Sequence, residues 1–426
     1  MSSSVVAAAG RATPPVRRFY AYSALRWFQL TASLWILYLV HLGWPLWQVG
    51  LAEVAFHLTS LATNLPTGAF ADRYGRRTAL RVGLAIAATA PVAMLTLAPL
   101  SWGWGIVAMA YHALAWSFIG GADQALLYDL APQKQDFAHF YGRVLAITYA
   151  SGALGAIAGG WLATAFGWAA VYAAAGAVQF GALAIAWRLP EPAQMRPDAT
   201  PSEPFFNPNL DSNLGMGARL RTMAVALRQV PGLSGLVIFY GLVSVFITTN
   251  NLYGQTTLAA KGAPILLVTV ILAMANVAAA LSSLLVGRWA ARPAFPAARV
   301  LRTATVLLAI LLAAVGALPL VGAATAFVFD GVADGAVDPV ATAALSRLAP
   351  DAVRATVLSA PDTLFSLGMV VLFPAAGWLM GARELGIPLT YAVLAGLVLV
   401  AGGGPLARWR GTIPAPAATP RPPRRS

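Results

Sequence analysis

The chain has 426 residues, of which 59% are hydrophobic and only 10% are charged, and it carries a formal net charge of +13. So few charges cannot cover a water-soluble globule of this length, so lipid must be the main solvent. The absence of cysteine excludes disulfides, thiolate metal sites and cysteine nucleophiles. The basic residues sit in alternate loops rather than in one patch, which argues against nucleic acid as a partner.

Long apolar runs recur along the chain, each near the roughly 20 residues that cross about 30 Å of hydrocarbon as a helix. They predict spans at 20–42, 46–68, 78–99, 103–129, 141–165, 168–188, 233–255, 263–287, 298–318, 320–347, 355–380 and 386–406. Barrel strands would be shorter and would alternate. The expected fold is therefore an all-α polytopic membrane protein with twelve transmembrane helices. The N-terminal tail, 1–19, lacks an apolar stretch before Arg17 and Arg18, so no cleaved signal peptide is expected. Arginines and lysines fall in every second loop, with only Lys261 and Arg383 opposite. That asymmetry puts both termini and the central loop in the cytoplasm of an inner or plasma membrane.

Span 2 places Glu53, His57, Ser60 and Asn64 on one stripe, which suits inter-helix contact as well as a solute path. Between spans 2 and 3 the chain reads GAFADRYGRR from Gly68 to Arg77, after Pro66 and Thr67. Its glycines permit a tight turn and close helix contact, and its acid suits a helix N-terminus. This stretch resembles the signature loop of the major facilitator superfamily, with Phe70 where leucine is usual. The resemblance implies two six-helix bundles of related fold, alternating access, and a gating network built on Gly68, Asp72, Arg73, Gly75, Arg76 and Arg77. Within it, Asp72 would meet the start of span 11, and Arg76 would pair with Asp129 at the end of span 4, latching an outward-facing state. Topology held by charge alone is the other reading of the same loop. The counterpart in the second half, Gly287 to Arg292, has lost its acid, so any latch is asymmetric.

Charges at membrane depth persist where they pair or face water. Arg26 in span 1 and Asp123 in span 4 lie at comparable depths and are expected to meet, either as a pair that parts when Asp123 is protonated or as a permanent ion pair. The resemblance implies that spans 1, 4, 7 and 10 line the central cavity. Span 5 carries Gly142, Ser151, Gly155, Gly159 and Gly160, a degenerate match to the family's antiporter motif that ordinary close packing would also explain.

Residues 20–188 form the first bundle, and 189–232 a proline-rich linker with a short basic amphipathic stretch from Arg219 to Arg228. The second bundle, 233–406, echoes the first: Leu130-Ala131-Pro132 matches Leu348-Ala349-Pro350, and Gly159-Gly160-Trp161 matches Ala376-Gly377-Trp378. Span 7 carries Tyr240, Ser244, Thr248 and Asn251 as candidate cavity residues, together with Gln255. On span 10, Asp330, Asp334 and Asp338 recur every four residues and share a face. Repulsion among three anions in low dielectric marks Asp334 and Asp338 as proton or cation sites, with Asp330 facing the cavity. The basic, proline-rich tail, 407–426, has nothing to bury and should lie near anionic headgroups.

No cofactor, catalytic residue or metal site is expected. His41, His57, His112 and His139 lack ligand spacing, and neither a P-loop nor a Gly-x-Ser-x-Gly elbow is present. The expected function is proton-coupled efflux of a small amphipathic solute by a monomer in the lipid bilayer. The alternatives are a nutrient symporter or uniporter, and, from another class, a membrane-embedded transferase.

Overall fold

The computed structural model describes residues 13–130, 137–190, 232–290, 295–349, 354–382 and 386–407, with isolated positions between 221 and 230. The basic stretch from Arg219 to Arg228 falls largely outside the described residues, as does the tail beyond Ala407.

Every described element is helical. The helices are Pro14–Trp27, Trp35–His41, Leu46–Tyr74, Arg76–Leu97, Trp102–Ile119, Ala122–Leu130, Phe137–Ala186, Leu233–Ala260, Ile265–Ala290, Ala297–Ala317, Leu320–Leu348, Arg354–Met380 and Gly386–Ala407. Among the described residues, nine are long and apolar enough to cross a membrane. The run Phe137–Ala186 is two helices joined at Gly167, whose φ of 80° turns the chain back and is open to glycine at no steric cost. Span 1 is interrupted and span 2 carries Glu53, His57, Asp72 and Arg73. Counting these, the chain crosses twelve times.

Two of the expected spans are not continuous. Span 1 begins earlier than expected, at Pro14, stops at Trp27, and resumes at Trp35. The loop Phe28–Leu34 between these pieces packs closely on span 5. A Cβ on Gly155 would sit 2.8 Å from the Gln29 nitrogen, and one on Gly159 would collide with the Leu30 carbonyl oxygen. Span 4 breaks at Gly120 and Gly121, the latter at φ 75°. Span 2 runs longer than expected, to Tyr74.

The two halves meet at the end away from the chain termini. There the Tyr253 hydroxyl donates to the Leu46 carbonyl at 3.1 Å. A Cβ on Gly50 would lie 2.5 Å from the Pro374 Cα, and one on Gly160 would strike Thr269. Small residues therefore seat span 2 on span 11 and span 5 on span 8. Midway along, His57 meets Phe365 edge-on at 5.3 Å. At the terminus end, Asp72, Leu65, Tyr149 and Asp338 are exposed. One apolar core joins both halves, and a second, around Phe19, Leu84, Leu126 and Phe140, belongs to the terminus end of the first half. Trp44, at a span end where an interfacial position is expected, is instead buried against Gly105, while Trp47 and Trp102 remain exposed.

Candidate functional site

The signature loop braces the first half from inside. Gly75, at φ 92°, ends span 2 and starts span 3, so the arginines that follow point back toward spans 4 and 6. Arg76 Nη1 donates to Asp129 Oδ2 at 2.5 Å and to the Ala125 carbonyl at 3.2 Å. Arg77 donates to the Leu189 carbonyl at 3.0 Å, and Arg81 to that of Trp187 at 3.0 Å while covering the Trp187 ring. Arg73 lies over Tyr74. Gly68 faces open space, and Asp72 accepts no hydrogen bond from the described residues. The loop's arginines thus tie three helices of one half together, while its acid stands free of the other half in this conformation.

Arg26 and Asp123 do not form an ion pair in this conformation. Arg26, only 3% exposed, lies over the rings of Trp116 at 4.7 Å and Trp27 at 5.3 Å, and its Nε has no partner. Asp123 accepts from the Gln124 backbone N–H at 2.7 Å. The unwound segment Phe28–Ala32 and spans 2, 3, 4 and 6 wall a cavity of about 240 Å³ that Leu252 of span 7 also lines, with Arg26, Glu53, His112, Trp116 and Gln179 on its wall.

The second half carries acids instead. Asp330 is 1% exposed, and its Oδ2 accepts from Asn250 Nδ2 at 2.7 Å. Its Oδ1 has no partner, and neither has the Asn250 Oδ1. Asp334 is half-buried, and exposed Asp338 accepts from the Tyr240 hydroxyl. Tyr141 and Tyr149 on span 5 and Asp362 on span 11 are close enough to Asp338 to feel its charge. Ser244 donates to the Tyr240 carbonyl at 2.8 Å, and Thr248 and Asn251 are half-buried. Of the span 5 motif, Gly155 and Gly159 pack on the broken part of span 1, Gly160 on span 8, Ser151 is buried, and Gly142 touches nothing.

Sequence reasoning missed Asn250, Asp362 and Gln179. Asn250 adjoins Asn251 inside a predicted span, so its polarity was visible but its face was not. Asp362 stood inside a predicted span, where any acid is a candidate. Gln179 carried no comparable signal.

Residues 20–327 match the family described as the Major Facilitator Superfamily. That is most of the chain, which therefore belongs to this superfamily of membrane transporters and is not an enzyme. A curated relative, an uncharacterized MFS-type transporter YxaM of Bacillus subtilis (strain 168), is 39% identical over 59 residues, 13% of this chain and 15% of the relative. The match thus spans less than a fifth of that relative's length.

Solved structures match over nearly the whole chain. The nucleoside transporter NupG is 14% identical with a TM-score of 0.73, covering 93% of this chain and 99% of its own. A bacterial homolog of the human lysosomal transporter Spinster, inward-facing and occupied, is 16% identical with a TM-score of 0.69, over 92% and 94%. A D-xylose-proton symporter is 13% identical with a TM-score of 0.67, over 94% and 96%. At these identities the likeness is one of fold.

Proposed function

We propose that this protein is a plasma-membrane secondary transporter that exchanges protons for a small amphipathic solute by alternating access, in the direction of efflux, with both termini in the cytoplasm. The observation that carries this reading is the asymmetry of contact between the halves. They interlock through Gly50, Gly160 and Tyr253 at one end, while Asp72, Asp338 and Tyr149 stand exposed at the other. Such a shape is one of the two end states that rocking halves require. The even number of crossings and the basic loops support a cytoplasmic open end.

Asp330 is the favoured proton carrier. Its carboxylate and the Asn250 amide leave one acceptor each unpartnered. A single proton on Asp330 supplies the missing donor, so that acid and amide can bond reciprocally. Asp334 and Asp338 continue the path to the open end, where Tyr240, Tyr149 and Asp362 surround them. Arg26 and Asp123, apart in this state, form the candidate second switch. The Arg76–Asp129 pair and Asp72 form the gating network, Asp72 engaging span 11 only when the cytoplasmic end closes.

The test is flux in liposomes containing purified protein and a pH-sensitive dye, challenged with drugs, organic anions, lipophilic cations, sugars and amino acids. Solute-driven proton release from the lumen supports exchange. Solute uptake with a silent dye would replace it with uniport, and cotransport of proton and solute would replace it with symport.

A further inference from the structure

Leu46, Gly50, Glu53 and His57 follow one another at steps of three or four residues, so they share one face of span 2. That face is the seam between the halves. The Leu46 carbonyl accepts from Tyr253 of span 7, a Cβ on Gly50 would meet Pro374 of span 11, and the His57 ring meets Phe365 of span 11 edge-on. Tyr253 is also close enough to Glu53 to feel its charge. Two ionisable side chains therefore stand in a stripe that must part from the second half whenever the end away from the termini opens.

Both are buried, Glu53 to 8% exposure and His57 to 5%. Glu53 Oε1 and His57 Nε2 are 3.4 Å apart, yet Nε2 makes no hydrogen bond and the carboxylate accepts none among the described residues. With a neutral imidazole in either tautomer, the pair is a net anion. One further proton makes it net neutral, as imidazolium with carboxylate or as imidazole with carboxylic acid, and either form places a hydrogen bond between the two atoms. Burial favours the neutral form, and water admitted to an opened seam removes that preference.

The surrounding helices hold few groups that could take over this role. Span 11 carries Asp362 one turn from Phe365 toward the terminus end, where it is exposed, and span 7 brings the Tyr253 hydroxyl. Span 3 has no ionisable side chain beyond Arg81. Span 4 brings His112, whose Nε2 accepts from Trp116 Nε1 at 2.9 Å. Arg26 of span 1 shares the cavity wall with Glu53 but makes no ion pair with it; its guanidinium lies over Trp116 and Trp27, within reach of the Asp123 charge.

Resting on the alternating-access reading above, we propose that Glu53 and His57 form a one-proton latch on the end of the molecule away from the termini. Closing the seam takes one proton from the water of the open cleft onto the pair, and opening it returns that proton to the same side. The latch thus sets the gate without adding to the protons carried across. Because the closed seam holds the proton more tightly, acid on that side favours closure there and opening at the terminus end.

The test is pulsed electron-electron distance measurement on full-length protein in liposomes, with spin labels at Trp102→Cys and Val321→Cys, read as the fraction closed at that end between about pH 5 and pH 8. Glu53→Gln, neutral throughout, should raise the closed fraction severalfold at the alkaline limit. His57→Phe keeps a ring against Phe365 but leaves the carboxylate alone, and should lower the closed fraction at the acid limit. Opposite signs identify the latch, because lost packing alone would lower the closed fraction in both. Shifts of the same sign, or none, overturn it. Should His57→Phe not fold, Glu53→Gln decides alone, and a closed fraction equal to wild type at the alkaline limit overturns the latch. Solute-driven proton release in unlabelled liposomes keeps the two readings apart. Release in wild type with neither variant moving the distance overturns the latch and leaves exchange standing. Opposite shifts without any release support the latch and remove the exchange.

Discussion

Spans 1 and 7 are counterparts in the two repeats, and they are built in opposite ways. Span 1 is broken from Phe28 to Leu34, buries a cation and walls a cavity. Span 7 is one unbroken helix, Leu233–Ala260, whose Asn250 and Tyr240 hold the acids of span 10. Span 4 breaks at Gly120 and Gly121, whereas its counterpart, span 10, runs whole from Leu320 to Leu348 around Pro339. Irregular backbone at membrane depth survives where it lines a cavity, and continuous helix is the solution where none is needed. The difference teaches that one fold repeated twice can divide its polar chemistry, with broken spans and a buried cation in one half and unbroken spans that hold acids in the other.

The sharpest way to break that division is to remove the proton carrier. Asp330→Asn is expected to reduce proton-coupled flux by about a hundredfold while sparing solute-for-solute counterflow, read in the same liposomes with and without a pH gradient. Equal loss of both would merge the two roles. Next in size, Gly159→Val drives two methyl groups into the backbone of the unwound segment. It should cost about 1–3 kcal/mol or more, seen as a fall in melting temperature in detergent. Gly142→Val, a position with open space around it, should leave the melting temperature unchanged.

Smaller effects test the gate and the proton path. Arg76→Ala removes an ion pair that is partly screened, its side chains 27% and 19% exposed, so its effect on melting should be slight. Its effect on flux should reach about tenfold, and exchanging the charges as Arg76→Asp with Asp129→Arg should restore part of it. Tyr240→Phe takes only a hydroxyl from Asp338, and a severalfold change in proton flux with solute affinity preserved is the expected outcome.

Much of this was legible in the sequence, and the parts that were not have a common cause. The crossings follow from apolar length, and the signature loop marks Arg76 and, by resemblance, Asp129. The break in span 1 left no local trace: Phe28 to Leu34 contains neither glycine nor proline. Gly155 and Gly159, more than a hundred residues away, leave the room that it occupies. The break in span 4 did have a local trace, the Gly120–Gly121 pair, but apolar flanks on both sides hid it. Stepping by three or four residues from Tyr240 through Ser244 and Thr248 selects Asn251, while the helix carries its neighbour Asn250 to Asp330. A stripe on a helix is broad enough that pattern alone does not choose between adjacent residues. Trp44 sits at a span end, where tryptophan usually marks the interface, yet the absence of a side chain at Gly105 gives it a place inside.

The chain contains no cysteine, so pairs can be introduced for spin labels without background. Leu65→Cys with Trp289→Cys spans the halves at the terminus end, and Trp102→Cys with Val321→Cys spans them at the other. Pulsed electron-electron distance measurement on both pairs, in wild type and Asp330→Asn, tests alternation and its proton switch together. The expected result is reciprocal: acidic pH lengthens the first distance and shortens the second, and Asp330→Asn holds that state at alkaline pH. Glu53, Asp123, Asp334 and Asp362 remain in that variant, so a residual pH response would belong to these other buried acids. Distances that stay fixed at both ends across pH, with Asp330→Asn indistinguishable from wild type, would contradict a proton-driven exchange between two end states.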